Sequence, residues 1–382
     1  MENQVYTALG LMSGTSLDGI DVAVIKTDGR SIFGFGPVYA WKYSSTIRQE
    51  LEAQIQVALD WGFEGPRPVI LESGEMILDS EHANAVFALS NDPAVNLSEI
   101  SVIGYHGQTV LHHPQHEDQT GQTLQLGNGQ NLADMIGVGV VYDFRSNDVS
   151  EGGQGAPLAP IYHQALVNYS NVTGRVIVLN LGGVANISAI EDGRLVWATD
   201  CGPANGPLDS WVQSHKAGDY DKKGALSFKG DVDHKLINQW LKHDFFNRQI
   251  PRSADRYDFD VLADMSHMSL EDGAATLASF CAQSVARDVK AFQADHVIAC
   301  GGGRKNKAIM AMLGLHLDAD ILTAEDFDWD GDMLEAQAFA YLAVRTVNGL
   351  PNSFPSTTGA PRPIIGGQLT YPSKSGRSLG GE

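Results

Sequence analysis

Positive charge is in short supply in this 382-residue chain: 26 lysines and arginines stand against 46 aspartates and glutamates, a formal charge of −20. Such a surface disfavours nucleic acid and anionic membrane, both of which are held through basic patches. An anionic ligand therefore has to be held by local dipoles, a metal ion and a few cations. Cysteine is scarce too. Cys201, Cys281 and Cys300 are too few and too scattered for a disulfide framework or a zinc cluster, which points to a reducing compartment. No run of about 18 apolar residues is present to span a bilayer, and no positively charged apolar leader opens the chain. The expected location is the cytoplasm. Neither a GxxxxGK[ST] loop nor a GxGxxG fingerprint occurs, so P-loop and Rossmann readings lose their main support.

What is present is an ordinary globular composition, 43% hydrophobic and 19% charged, in a chain longer than one core usually serves. Val5–Met12 reads as a buried strand that turns at Ser13-Gly14-Thr15-Ser16 and returns over Asp21–Lys26. Helical spacing follows over Ile47–Trp61 and Glu72–Leu89. Val102–Tyr105 is a short strand, Leu111–Gln122 is polar and turn-like, and Ile136–Tyr142 is a strong strand closed by Asp143-Phe144-Arg145. A second beginning follows, with a strand at Arg175–Leu181, the turn Gly182-Gly183 and a strand at Ala185–Ile190. This echo of the first segment suggests two duplicated α/β domains. Val297–Ala299 runs into Gly301-Gly302-Gly303, and Glu335–Val347 reads as a core helix.

Three glycine turns after apolar strands suit phosphate binding, because small residues let backbone N–H groups approach an anion. Gly14, Thr15 and Ser16 supply donors, and Asp18 and Asp21 stand ready for Mg²⁺; a plain hairpin turn fits the same residues. Asp200, at the end of a strand beside Gly202-Pro203, is placed for a general base, or equally for capping the helix that follows. Gly301–Gly303 with Asn306 suits a nucleotide, or a flexible linker. His106 and Gln108 suit a sugar's hydroxyls, or an ordinary turn. His112, His113 and His116 lack the partners a metal site requires and read as a solvated loop.

The segments MSGTSLDGID (12–21), GYHGQT (104–109), DFRSNDV (143–149), GGQGAPLAP (152–160), NLGGVANIS (180–188), DCGPANGPLDSW (200–211), GGGRKN (301–306), EAQAFAYLA (335–343) and TGAP (358–361) together resemble the anhydro-N-acetylmuramic acid kinase family, in order and along nearly the whole chain. The resemblance implies an actin-like, sugar-kinase and Hsp70 type of fold: two α/β domains about a central nucleotide and substrate cleft, in a homodimer. One domain would take residues 1–140 plus 357–382 with the phosphate loop. The other would take 141–356 with the catalytic aspartate and the nucleotide-binding glycines. ATP and Mg²⁺ are the implied cofactors and a small anhydrosugar the implied partner, with no nucleic acid and no membrane.

Carried onto this chain, the resemblance makes Asp200 the catalytic base. It makes Gly14, Thr15, Ser16, Leu17, Asp18, Gly19, Ile20 and Asp21 the ATP-phosphate loop, with Asp18 and Asp21 toward the metal. Gly182, Gly183, Gly301, Gly302, Gly303 and Asn306 complete the nucleotide site, and His106, Gln108, Asp143 and Arg145 bind substrate. The implied reaction opens the 1,6-anhydro ring and phosphorylates the released 6-hydroxyl. The chain departs from the family where Cys201 and Ala204 replace threonine and glycine, where Asn128 replaces aspartate, and over Pro251–Arg256. A related anhydrosugar such as levoglucosan is therefore the alternative substrate, and a non-enzymatic actin-like nucleotide-binding protein the alternative function.

Overall fold

The computed structural model of the chain describes residues 4–14, 17–113, 121–254 and 258–373. They form two compact units. One comprises the chain up to Gly155 with Glu335–Pro355 and the stretch from Ala360; the other is Ala156–Leu334 with Ser356–Gly359.

In the first unit β1 (Tyr6–Ser13) and β2 (Gly19–Thr27) are antiparallel with Met12 opposite Asp21, and β3 (Ile32–Lys42) continues the meander. Helix α1 (Ser45–Trp61) starts where the Ser44 side chain accepts from the Ile47 N–H and ends at left-handed Gly62. It is followed by α2 (Ile70–Leu89), then β4 (Val102–Tyr105) parallel to β1. Strands β5 (Gln108–His113) and β6 (Gln122–Leu126) form an antiparallel pair of their own. The stretch from Leu111, expected to be turn-like, is thus strand as far as His113, with His112 opposite Thr123. Helix α3 (Gly129–Ile136) stops at left-handed Gly137, which shortens the strand expected from Ile136 to β7 (Val140–Tyr142). The short helix α4 (Ser146–Ser150) follows.

The second unit opens with α5 (Pro160–Tyr169) and the antiparallel meander β8 (Arg175–Leu181), β9 (Val184–Glu191) and β10 (Arg194–Pro203). Helices α6 (Asn205–Ser214), α7 (His234–Trp240) and α8 (Leu270–Phe292) come next. Strand β11 (His296–Cys300) is parallel both to β8 and to β12 (Asp320–Thr323), with α9 (Lys307–His316) between β11 and β12. The core packs Ile177, Leu179 and Ile187 with Phe245, Phe246 and Phe280.

The chain then returns to the first unit. From Glu335, α10 (Leu334–Val347) lies on the first sheet, and β13 (Gln368–Thr370) adds an antiparallel edge beside β7. Two glycines permit this. A Cβ on Gly10 would stand 1.8 Å from the Ala336 carbonyl oxygen, and one on Gly104 would stand 2.0 Å from that of Phe339. Residues 141–155 and 335–355, expected in the second domain, accordingly group with the first unit, and 357–359, expected in the first domain, group with the second unit. The sheet orders β3-β2-β1-β4-β7 and β10-β9-β8-β11-β12 match, three antiparallel strands and then two parallel ones. The α/β class and the duplicated plan of the actin-like type are both present.

Replacing Gly104 by alanine forces the α10 backbone off the sheet. A loss of about 1–3 kcal/mol or more is expected in chemical denaturation. Gly34, where a Cβ meets nothing within 4 Å, is the control; its alanine variant should stay within about 0.5 kcal/mol of the parent.

Candidate active site

Asp200 lies near the end of β10, where the pairing with β9 slips between Asp200 and Gly202. Such a bulge redirects a side chain at a strand end. The residue is 8% exposed. Its Oδ2 accepts from the Ala254 N–H at 2.8 Å, and its own N–H donates to the Arg252 carbonyl at 3.0 Å. The N-cap position of α6 is Ala204, which has no side-chain cap to offer, so Asp200 is not the N-cap residue. Cys201 beside it is fully buried, and burial pushes its thiol pKa well above the ordinary value. It is no nucleophile.

The two glycine turns of this unit sit side by side. Strands β8 and β11 are hydrogen-bonded neighbours, with Asn180 opposite Cys300, and the turns Gly182-Gly183 and Gly301–Gly303 follow directly at their carboxyl ends. Ligands of open α/β sheets bind at such ends. A Cβ on Gly183 would meet nothing within 4 Å, and one on Gly302 only the Asn205 amide at 3.9 Å, so the backbone of both turns is approachable. The Gly183 carbonyl accepts from the Ala204 and Gly206 N–H groups, which ties this turn to the start of α6. The other turn is pinned by Arg304, which is buried, donates to the Gly301 carbonyl at 2.8 Å and pairs with Glu325 and Asp332. Asn306 spends its side-chain oxygen on the Ala308 and Ile309 N–H groups as the cap of α9.

In the first unit the turn between β1 and β2 is described only in part, since Thr15 and Ser16 lie outside the described residues. The Gly14 carbonyl accepts from the N–H of Leu17, which is left-handed at φ 53°. Leu17 and Ile20 are buried in the core, and a Cβ on Gly19 would stand 2.0 Å from the Trp41 carbonyl oxygen. These three residues therefore have only backbone to offer a ligand. Asp18 is exposed and Asp21 half-buried.

Of the four sugar-binding candidates, His106 and Asp143 line one cavity of this unit, together with Tyr105, Gln125, Tyr142 and Ser146. Arg145 backs it. Its guanidinium donates to His106 Nε2 at 3.0 Å and to the Gly155 carbonyl at 2.7 Å. That contact places the imidazole proton on Nδ1. Burial, and then the Arg145 charge, hold the His106 pKa well below the ordinary value, so the ring is neutral. Asp143 is left-handed at φ 54°, and its carboxylate accepts from Ser146 at 2.5 Å and from Gln368 at 2.8 Å. Gln108 is fully buried beside the cavity rather than in its lining. The side-chain oxygens of Gln108 and Gln125 are buried without a hydrogen-bond partner among the described residues. Gln125 and Ser146 escape notice in the sequence; the alternation of Gln122–Leu126 is the signal that would have put Gln125 on a strand face. His112 bonds Thr123 at 3.0 Å and His113 stacks edge-on to Phe63, while His116 lies outside the described residues. Among the described residues no group of three His, Cys, Asp or Glu side chains is placed to hold a metal.

A buried acid supports the cavity from behind. Asp79 accepts from the Tyr105 hydroxyl at 3.0 Å, the Asn128 N–H at 2.9 Å and the Asn131 amide at 3.3 Å. Burial raises its pKa from 3.8 to about 6 against those hydrogen bonds. A carboxyl with a raised folded pKa binds its proton more tightly folded than unfolded, so its contribution falls as pH rises from about 4 to about 6. Asp79→Asn should remove that part of the pH dependence. Urea midpoints for parent and variant, compared at pH 4.5 and pH 7, should converge at the higher pH or cross in favour of the variant.

Comparison with known proteins agrees with the motifs. The anhydro-N-acetylmuramic acid kinase family profile matches residues 6–372. Anhydro-N-acetylmuramic acid kinases from Mesorhizobium japonicum and Rhizobium rhizogenes are 44% and 45% identical, each over 95% of this chain and 98% of their own length. Anhydro-N-acetylmuramic acid kinase 2 of Jannaschia sp. is 40% identical over 98% of this chain and all of its own. Among solved structures, an activator of 2-hydroxyisocaproyl-CoA dehydratase from Clostridium difficile covers 90% of this chain and 96% of its own at 13% identity and a TM-score of 0.44, too low to carry a functional assignment. On the strength of the profile and the relatives, the chain belongs to the anhydro-N-acetylmuramic acid kinase family.

Proposed function

We propose that this ATP-dependent sugar kinase opens the 1,6-anhydro ring of anhydro-N-acetylmuramic acid with water and phosphorylates the released 6-hydroxyl, giving N-acetylmuramic acid 6-phosphate and ADP. The observation that carries the reading is Asp200, a carboxylate set on a strand-end bulge and held through Oδ2 by a backbone N–H, within a motif matching the family.

Asp200 takes a proton from the water that attacks the anomeric carbon. The bond from that carbon to the bridging oxygen breaks, and the oxygen stays on carbon six, where the γ-phosphoryl group of ATP captures it. A glycosidase would protonate that oxygen with a second carboxyl; here phosphorus replaces the proton, so one carboxylate suffices. The cavity behind His106, Gln125 and Asp143 offers a neutral imidazole, an unpartnered amide oxygen and a carboxylate. This is a set of acceptors and donors suited to sugar hydroxyl and acetamido groups, with Arg145 and Gln108 supporting it. The neighbouring Gly182-Gly183 and Gly301–Gly303 turns offer approachable backbone to the nucleotide, with Asn306 fixing the second turn through its cap. The residues from Gly14 to Asp21 offer backbone donors to its phosphates.

The donor set also bears on Mg²⁺. Two carboxylates, Asp18 and Asp21, flank the phosphate turn, and no three-ligand group exists among the described residues. That fits a Mg²⁺ bound through one or two carboxylates and substrate phosphates, not a metal caged by protein. When bound, it would neutralise charge on the transferring group. Use in cell-wall recycling, a cytoplasmic location and a homodimer accompany this reading.

Three measurements test it. An ATP-consumption screen should respond to anhydro-N-acetylmuramic acid ahead of levoglucosan and of open N-acetylmuramic acid; preference for an open sugar would overturn the ring-opening step. Run in ¹⁸O-water, the reaction should label the anomeric hydroxyl of the product, and an unlabelled product would exclude attack by water. Asp200→Asn should keep ATP affinity and lose about 10²–10⁴-fold in kcat; near-normal turnover would clear Asp200 of the role.

A further inference from the structure

The segment Pro251–Ala254 clamps the strand end that carries Asp200. The Arg252 N–H donates to the Thr199 hydroxyl at 2.9 Å, and the Arg252 carbonyl accepts from that hydroxyl at 3.1 Å and from the Asp200 N–H at 3.0 Å. Two residues on, the Ala254 N–H reaches Asp200 Oδ2. This segment is itself anchored by one side chain. Arg252 is 6% exposed, pairs with Asp288 of α8 at 2.5 Å, lies 4.7 Å over the Phe245 ring and touches the Arg248 carbonyl at 3.4 Å. Burial raises the Asp288 pKa, while the Arg252 charge and a hydrogen bond from the Cys201 thiol oppose that rise. Thr199 and Asp200 are therefore held by the backbone of the residue whose side chain makes this ion pair, and the Cys201 thiol faces its other partner, Asp288.

We propose that the Arg252–Asp288 pair is a positioning device for Asp200: it transmits the fixed orientation of α8 to the Ala254 N–H and so sets where the carboxylate points. The inference rests on Asp200 being the base. Removing one partner of a buried pair leaves an uncompensated charge, whereas replacing both with apolar groups can leave stability nearly unchanged. That difference separates orientation from folding.

The experiment uses the full chain with ATP and anhydro-N-acetylmuramic acid. The paired variant Arg252→Met with Asp288→Leu should melt within a few degrees of the parent, keep KM for both substrates within about twofold, and lose about 10–100-fold in kcat. Arg252→Lys, which retains a charge for Asp288, should recover most of that loss. In an Asp200→Asn background the paired variant should lower residual turnover no further, because groups that act through one another are non-additive. Normal kcat in the folded paired variant, or a further full loss in the Asp200→Asn background, would overturn the proposal. If the paired variant does not fold, Asp288→Asn carries the same kcat and KM comparison, and unchanged kcat in it would overturn the proposal. Asp200→Asn with near-normal turnover would instead remove the base itself, a failure of the proposed function that this assay reports separately.

Discussion

The approach of the α10 backbone to β1 and β4 is the contact on which the first unit depends. Two positions without a side chain, Gly10 and Gly104, let a helix lie where even a methyl group would strike its carbonyls. Phe339 of that helix packs against the rings of His106 at 4.6 Å and Phe144 at 5.2 Å. Histidine and turn are thereby held beside the cavity, and Arg145 can bond both the imidazole and Gly155. A shift of the helix would propagate directly to the cavity side chains, since Phe339 packs against His106 itself.

Electrostatics follow a different rule from composition. A chain of formal charge −20 proposed to bind ATP is not basic overall, and three of its arginines work singly as internal braces, Arg304 and Arg252 buried and Arg145 half-buried. Arg304 fixes a glycine turn, Arg252 a strand end, Arg145 a histidine. Each is held by acids or carbonyls, and the charges of Arg304 and Arg252 are matched by Glu325, Asp332 and Asp288. The anion is left to backbone N–H groups, which carry no net charge and cost no repulsion elsewhere.

Much of this was legible in the sequence for physical reasons. Strand, glycine turn and returning strand recur in both halves because that unit is local, and α1 and α2 announce themselves by apolar spacing. What stayed hidden was long-range or polar. Strands β5 and β6 carry Gln, Thr and His, so their alternation is weak. Helix α3 is short and started by an Asn128 cap, in a stretch with no helical spacing long enough to announce it. The assignment of α10 to the first unit depends on glycines that are far away in sequence. The Ala254–Asp200 bond spans 54 residues, and no local pattern reports it. The position of Asp200 as a strand-end acid was readable, but what holds its carboxylate was not.

The division of the chain also has a consequence for its synthesis. The second unit is almost continuous, whereas the first is completed only by residues beyond Glu335. On the ribosome, where domains generally fold as units while the chain emerges, the later segment has its parts in hand first. The amino-terminal sheet must wait with the groove over Gly10 and Gly104 unfilled until α10 arrives. The order of birth along the chain is thus reversed in the order of completion, and the amino-terminal half is the part that chaperones would be needed to guard.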